Sequence, residues 1–151
     1  MGTGESIFLT AAVFLADQSG KAASRTRWRR KNRRIGRPLA FATLCYSRNE
    51  GAFLNLGERK PRLICGISAA LTILLTAVFV LTLGKAGKGL LKTGLSLLLG
   101  GAFSNTYDRL KHKMVTDYIR FDFGPSKFRR IVFNLGDFAI VLGALLIVLG
   151  S

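Results

Sequence analysis

Apolar residues in this chain collect into four long runs, and most of the charge lies between them. The clearest run is Leu63–Leu83, 21 residues without a charged side chain. A helix needs about 20 such residues to cross the hydrocarbon of a bilayer. Ile131–Leu149 is nearly as long but contains Asn134 and Asp137, and Leu90–Phe103 has Lys92 near its start, placed to reach the interface by snorkelling. Ile7–Ala16 is short and is followed at once by Asp17. Glu5 precedes it with no Lys or Arg, unlike the basic start of a signal peptide, so a first helix extending to about Ala23 with Asp17 facing inward is expected, which leaves room for a start upstream of Met1. The pattern predicts an all-α membrane protein, a single polytopic domain over residues 1–151, with spans at about 6–23, 63–83, 89–104 and 131–149.

The segments between the runs refine this picture. Residues 21–62 hold 13 Lys and Arg, eight of them between Arg25 and Arg37, and the whole chain has a formal net charge of +15. Because hydrophobic spans flank this stretch, anionic lipid is the expected partner rather than nucleic acid, with Trp28 as an interfacial anchor. Short apolar and aromatic stretches broken by Asn49, Gly51 and Asn55 predict a small strand-rich element in the second half of this segment, between helices 1 and 2. Residues 104–130 read as a polar loop. Cys45 and Cys65 are too few for a disulfide framework, and Cys65 reads as a buried thiol. His112 stands alone, so neither a metal site nor a cofactor is expected.

An Asp within a membrane helix costs roughly 2.5–3.5 kcal/mol on insertion scales and is seldom incidental. Alternating crossings place Asp17, Asn49, Asn105, Asp108, Asp117, Asn134 and Asp137 at one membrane face, and they include four of the chain's eight acids. The bland reading is pairing with the abundant Arg and Lys. The chemical reading is two carboxylates sharing a proton, one activating water while the other hydrogen-bonds a scissile carbonyl. A third reading is a small basic membrane protein that organises anionic lipid or carries a polar path.

Several motifs sharpen the choice. Gly100-Gly101-Ala102-Phe103-Ser104-Asn105-Thr106-Tyr107-Asp108-Arg109, then Val115-Thr116-Asp117-Tyr118-Ile119, resemble the GGxxGNxxDR and VVDFI stretches of the lipoprotein signal peptidases (signal peptidase II). Phe133-Asn134-Leu135-Gly136-Asp137-Phe138-Ala139-Ile140 resembles the family's FNxADxxI motif. Asp17-Gln18 with Lys21 is similar to its DQxxK, and Arg48-Asn49-Glu50-Gly51-Ala52-Phe53 to its N-x-G-A-A-F element. Ser104 stands where the family has glycine, Gly136 where alanine is usual and Thr116 where valine is common, and the Asn49 element is one residue shorter.

The resemblance implies an aspartic endopeptidase of the bacterial cytoplasmic membrane that removes signal peptides from diacylglyceryl-modified prolipoproteins; separately, a monomer is expected. It implies Asp117 and Asp137 as the catalytic pair, Asp108 and Arg109 as support, and Asn105 and Asn134 as orienting groups. Asp17 and Asn49 would line the substrate face, with Gln18, Lys21 and Gly51 also at the site. A silent relative that only binds lipidated peptides would differ by a misplaced or ion-paired acid pair.

Topology sets two arguments against each other. The resemblance puts residues 24–62, with their strand-rich element, and the active site on the extracytoplasmic side. Residues 104–130 carry seven Lys and Arg against two in 84–89, and the positive-inside bias would put the rich segments in the cytoplasm. The motifs are the more specific signal. In a background lacking Cys45 and Cys65, a Ser126→Cys variant is therefore expected to react with an impermeant thiol reagent on intact protoplasts. A Gly87→Cys variant should react only after the membrane is opened, and the opposite pattern would reverse the topology.

Overall fold

A computed structural model describes residues 1–29, 33–35, 41–49 and 60–150, with 33–35 as backbone only. The chain is mostly helical and carries one small antiparallel sheet. Helix α1 spans Thr3–Ala23 and runs into a π-helical turn, Ser24–Trp28. Strands β1 (Arg33–Ile35) and β2 (Ala42–Asn49) follow, then α2 (Pro61–Leu83), which opens on a proline that needs no backbone donor there. Helix α3 (Gly89–His112) ends on Lys113 in the left-handed region, at φ 61°. Strand β3 (Val115–Phe121), a 3₁₀ turn (Phe128–Arg130), β4 (Val132–Phe133) and α4 (Leu135–Leu149) complete the order.

Among the described residues one helix, Pro61–Leu83, is long and apolar enough to cross a membrane, and Leu135–Leu149 is apolar but shorter. Burial is inverted relative to a protein folded in water. Ile73, Leu81 and Val148 are 71%, 74% and 73% exposed, whereas Ser6, Asp17, Lys21, Ser96, Ser104 and Asp108 have no exposure.

Small residues let the helices approach. Gly94 and Gly101 on α3 are seven apart, as are Gly136 and Gly143 on α4, so each pair returns to one helix face. A Cβ on Gly94 would lie 2.7 Å from the Gly143 carbonyl oxygen, and one on Gly143 would lie 2.6 Å from that of Gly94. Gly101 makes the matching approach to Gly136, so the two helices run antiparallel in backbone contact. Gly100 faces the other way, where a Cβ would come within 2.8 Å of the Thr10 carbonyl oxygen on α1.

The sheet has the order β1-β2-β3-β4, antiparallel throughout. Ser47 opposes Asp117 and Asn49 opposes Val115, while the register shifts between Leu44 and Ser47. Of these strands β2 falls in the stretch where strands are expected and β1 lies ahead of it, in the basic stretch; Glu50 to Arg59 lie outside the described residues. The segment read as a polar loop is instead helix to His112, then strand, because Val115-Thr116-Asp117-Tyr118-Ile119 is rich in β-branched and aromatic residues. Cys45 is the buried thiol, and Cys65 is only half-buried. Lys92 is buried, its ammonium reaching the end of α2 and donating to the Leu83 carbonyl oxygen at 2.8 Å.

The glycine contacts generate a stability prediction. Gly143→Val should separate α3 from α4 and cost about 1–3 kcal/mol or more by overpacking. Gly66→Ala, which has open space around it, should change little. Thermal unfolding of both variants in the same detergent checks the contrast.

Candidate active site

Two different pieces of local structure carry the two acids toward each other. Asp117 belongs to β3, where the pairing with β2 brings Asn49 close enough for its amide to donate to Asp117 Oδ2 at 3.2 Å. Asp137 lies in the first turn of α4, held by a reciprocal cap. The Asn134 side-chain oxygen accepts from the Asp137 N–H at 2.9 Å, and Asp137 Oδ2 accepts from the Asn134 N–H at 3.0 Å. With its oxygen so occupied, the Asn134 amide nitrogen points outward and donates to Asp117 Oδ1 at 2.7 Å. One capping residue thus binds both acids.

A second asparagine is fixed from the opposite side. Asn105 Nδ2 donates to Asp137 Oδ1 at 3.0 Å, and Asn105 Oδ1 accepts from Lys21 Nζ at 2.8 Å. Because an ammonium can only donate, Lys21 dictates which end of the Asn105 amide faces Asp137. The other two Lys21 donors go to Asp17 Oδ2 at 2.8 Å and Ser104 Oγ at 3.0 Å. Ser104 Oγ also accepts from Gln18 Nε2 at 2.9 Å and donates to Asp17 Oδ2 at 2.5 Å, while Asp17 Oδ1 accepts from the Tyr118 hydroxyl at 2.9 Å.

Asp17 and Asp108 therefore sit behind the site rather than on a substrate face, both without exposure. Asp108 accepts from the Thr116 N–H at 2.9 Å and from Arg25 Nη2 at 2.7 Å. Arg25 accordingly turns inward instead of joining a lipid-facing basic stretch; residues 30–32 and 36–37 of that stretch lie outside the described residues, as does Gly51.

Asn49, Asn105, Arg109, Asp117 and Asp137 line a cavity of about 840 Å³. Its remaining wall is largely apolar, from Leu71, Leu74 and Leu75 on α2 to Ile140 and Val141 on α4. Burial, and then the like charge of Asp137, push Asp117 up to about 7 from the usual carboxylate range; the Asn134 and Asn49 amides and Lys21 oppose this. Among the described residues, no group of three or more His, Cys, Asp and Glu is placed to hold a metal ion.

Residues 9–151 match the family described as Signal peptidase (SPase) II. The chain belongs to the signal peptidase II family. It is 36% identical over 153 residues to a lipoprotein signal peptidase of Shewanella loihica, covering 95% of this chain and 84% of that protein. A lipoprotein signal peptidase of Clostridium tetani is 30% identical over 126 residues, covering 81% and 79%. A solved bacterial membrane enzyme, determined in meso at 2.3 Å, shares the fold with a TM-score of 0.80 at 24% identity, over 97% of this chain and 86% of that one.

In this chain, two departures from the family pattern meet at Asp17. Ser104 supplies a hydroxyl to its carboxylate, and Gly136 keeps space beside it, since a Cβ there would lie 3.0 Å from both Asp17 Oδ2 and Asn134 Oδ1. Sequence reasoning passed over Tyr118, Thr116 and Arg25 as parts of the site's support. Tyr118 falls two residues after β-branched Thr116 and next to Asp117, a spacing that carries no sign of an aspartate 101 residues earlier in the chain.

The buried network yields a double-mutant test. Lys21→Met leaves the Asp17 charge uncompensated and should cost about 3–5 kcal/mol, whereas Asp17→Leu/Lys21→Met should recover much of that. Denaturant titration in detergent micelles measures both. A loss below about 1 kcal/mol for the single variant would show that the ammonium is not a structural tie.

Proposed function

We propose that this signal peptidase II is an aspartic endopeptidase in which Asp117 and Asp137 activate water to cleave signal peptides from diacylglyceryl-modified prolipoproteins. The carrying observation is the joint hold of Asn134 on both carboxylates, its side-chain amide on Asp117 and its backbone N–H on Asp137, in a largely apolar cavity. Amide groups of Asn49, Asn105 and Asn134 donate to the two acids and orient each carboxylate. A shared cap and a shared cavity favour a working pair over a silent relative with misplaced acids.

In the reactive form the pair shares one proton, carried by Asp117, and Asp137 is ionised. Asp137 takes a proton from water as the water oxygen bonds to the scissile carbonyl carbon. Asp117 protonates the carbonyl oxygen, giving a neutral tetrahedral diol. Asp137 then returns its proton to the leaving nitrogen while Asp117 recovers one from a diol hydroxyl, so the C–N bond breaks and both acids regain their starting states.

The apolar wall suits the hydrophobic stretch of a signal peptide. Outward-facing leucines and inward-facing ions support four membrane-spanning helices, with α1 and α3 apolar outside and polar only where they meet other helices. We place the protein in the bacterial inner membrane as a monomer, with the sheet and acids toward the extracytoplasmic side, where a translocated lipidated cysteine would lie.

Asp117→Asn and Asp137→Asn are each expected to abolish cleavage of a diacylglyceryl-modified prolipoprotein in detergent, with membrane insertion unchanged. In the unmodified enzyme, kcat/KM should fall as pH rises through about 7, because the proton lost is the one Asp117 delivers. Normal turnover by either variant would remove the pair from the reaction.

A further inference from the structure

Beside the cavity mouth, the turn between β3 and β4 is built around an aromatic cluster. The Phe121 ring stacks on Phe128 at 5.8 Å and approaches Phe133 at 5.9 Å, and Phe133 meets Phe138 at 5.6 Å. Phe123 joins at 5.4 Å from Phe121 yet is 54% exposed. Gly124 makes the bend at φ +85°, and backbone hydrogen bonds from Arg129 to Pro125 and from Ile131 to Phe128 close the loop.

The order of exposed groups along this side follows a bilayer profile. Val148, Leu145 and Val141 on α4 are exposed aliphatics, Phe138 and Phe123 are exposed aromatics, and Lys127, Arg129 and Arg130 stand exposed at the turn. Hydrocarbon favours the first set, the interface the second and headgroups the third. The turn's acid, Asp122, is engaged by Thr43 and by Arg120 at 3.5 Å. Local positive charge is therefore left facing outward, beyond an aromatic shelf that would rest at the interface.

We propose that this turn, residues 123–130, docks on the membrane by selecting the headgroups of anionic phospholipids. The inference rests on the membrane-spanning reading above but not on the catalytic pair. Its rigid aromatic base fixes the depth of the turn, and Lys127 and Arg129 supply the charge selectivity. Arg130, which also lines the cavity, places a bound headgroup next to the entrance.

The test uses the full chain in vesicles of phosphatidylcholine containing one-fifth phosphatidylglycerol, with Phe123→Trp in a Trp28→Phe background. Brominated phosphatidylglycerol should quench the new tryptophan at least about fivefold more per mole than brominated phosphatidylcholine, since one basic residue near an anionic surface gains roughly a fivefold preference and the turn presents more than one. Lys127→Gln/Arg129→Gln should bring the ratio to about one while quenching persists. Equal quenching by the two lipids in the parent would overturn the selectivity, and an absence of quenching by either would overturn the docking itself. Native mass spectrometry of retained lipid gives a second measure without the tryptophan, where equal phosphatidylglycerol retention by parent and double variant would also refute the proposal. Repeating the quenching with Asp117→Asn separates the two readings, since the lipid preference should survive the loss of cleavage.

Discussion

An ammonium with no access to water must be given three acceptors by the protein, and Lys21 is such a group. Desolvating a charge costs several kcal/mol unless partners replace the water. Asp17 provides the countercharge from one turn earlier on α1, while Ser104 and Asn105 provide the other acceptors from α3. These bonds fix the register of α1 against α3, and Gly100 lets the backbones come close enough to make them. The same ammonium sets the Asn105 amide, and through it the donor offered to Asp137. A requirement of folding thereby becomes a requirement of the site.

The two acids reach the cavity by independent routes. Strand pairing places Asp117, and a helix cap places Asp137, so neither position depends on a flexible loop. Asn134 joins the two routes because its oxygen is committed to the helix and its nitrogen is left for the strand. A cap is commonly worth about 1 kcal/mol to a helix; here the cap also aligns a pair of like charges that would otherwise repel. Their closeness and burial give the pair its readiness to hold a proton near neutrality.

The polar interior and apolar exterior belong to one arrangement. Helices α1 and α3 carry Asp17, Lys21, Lys92 and Asp108, all buried, so their composition is less apolar than their outward faces. Those ions cost little because each faces another helix or strand with partners in place. The β3–β4 turn continues the exterior pattern at its end, where aromatic and basic groups succeed aliphatic ones.

Much of this was legible in the chain itself. The run Leu63–Leu83 determined α2 through length and lack of charge, and Asn134 three residues before Asp137 determined the α4 cap, since such contacts are local. The motifs around Asp117 and Asp137 identified the candidate pair. The tertiary structure alone decided that Asp17 and Asp108 are buried supports, that Arg25 turns inward, and that Val115–Phe121 is a strand in a sheet shared with β2. Charge and spacing say that an aspartate needs partners but not which partners, because those come from residues up to 101 positions away. Only helix packing, set by where glycine lets backbones touch, brings them within hydrogen-bonding distance.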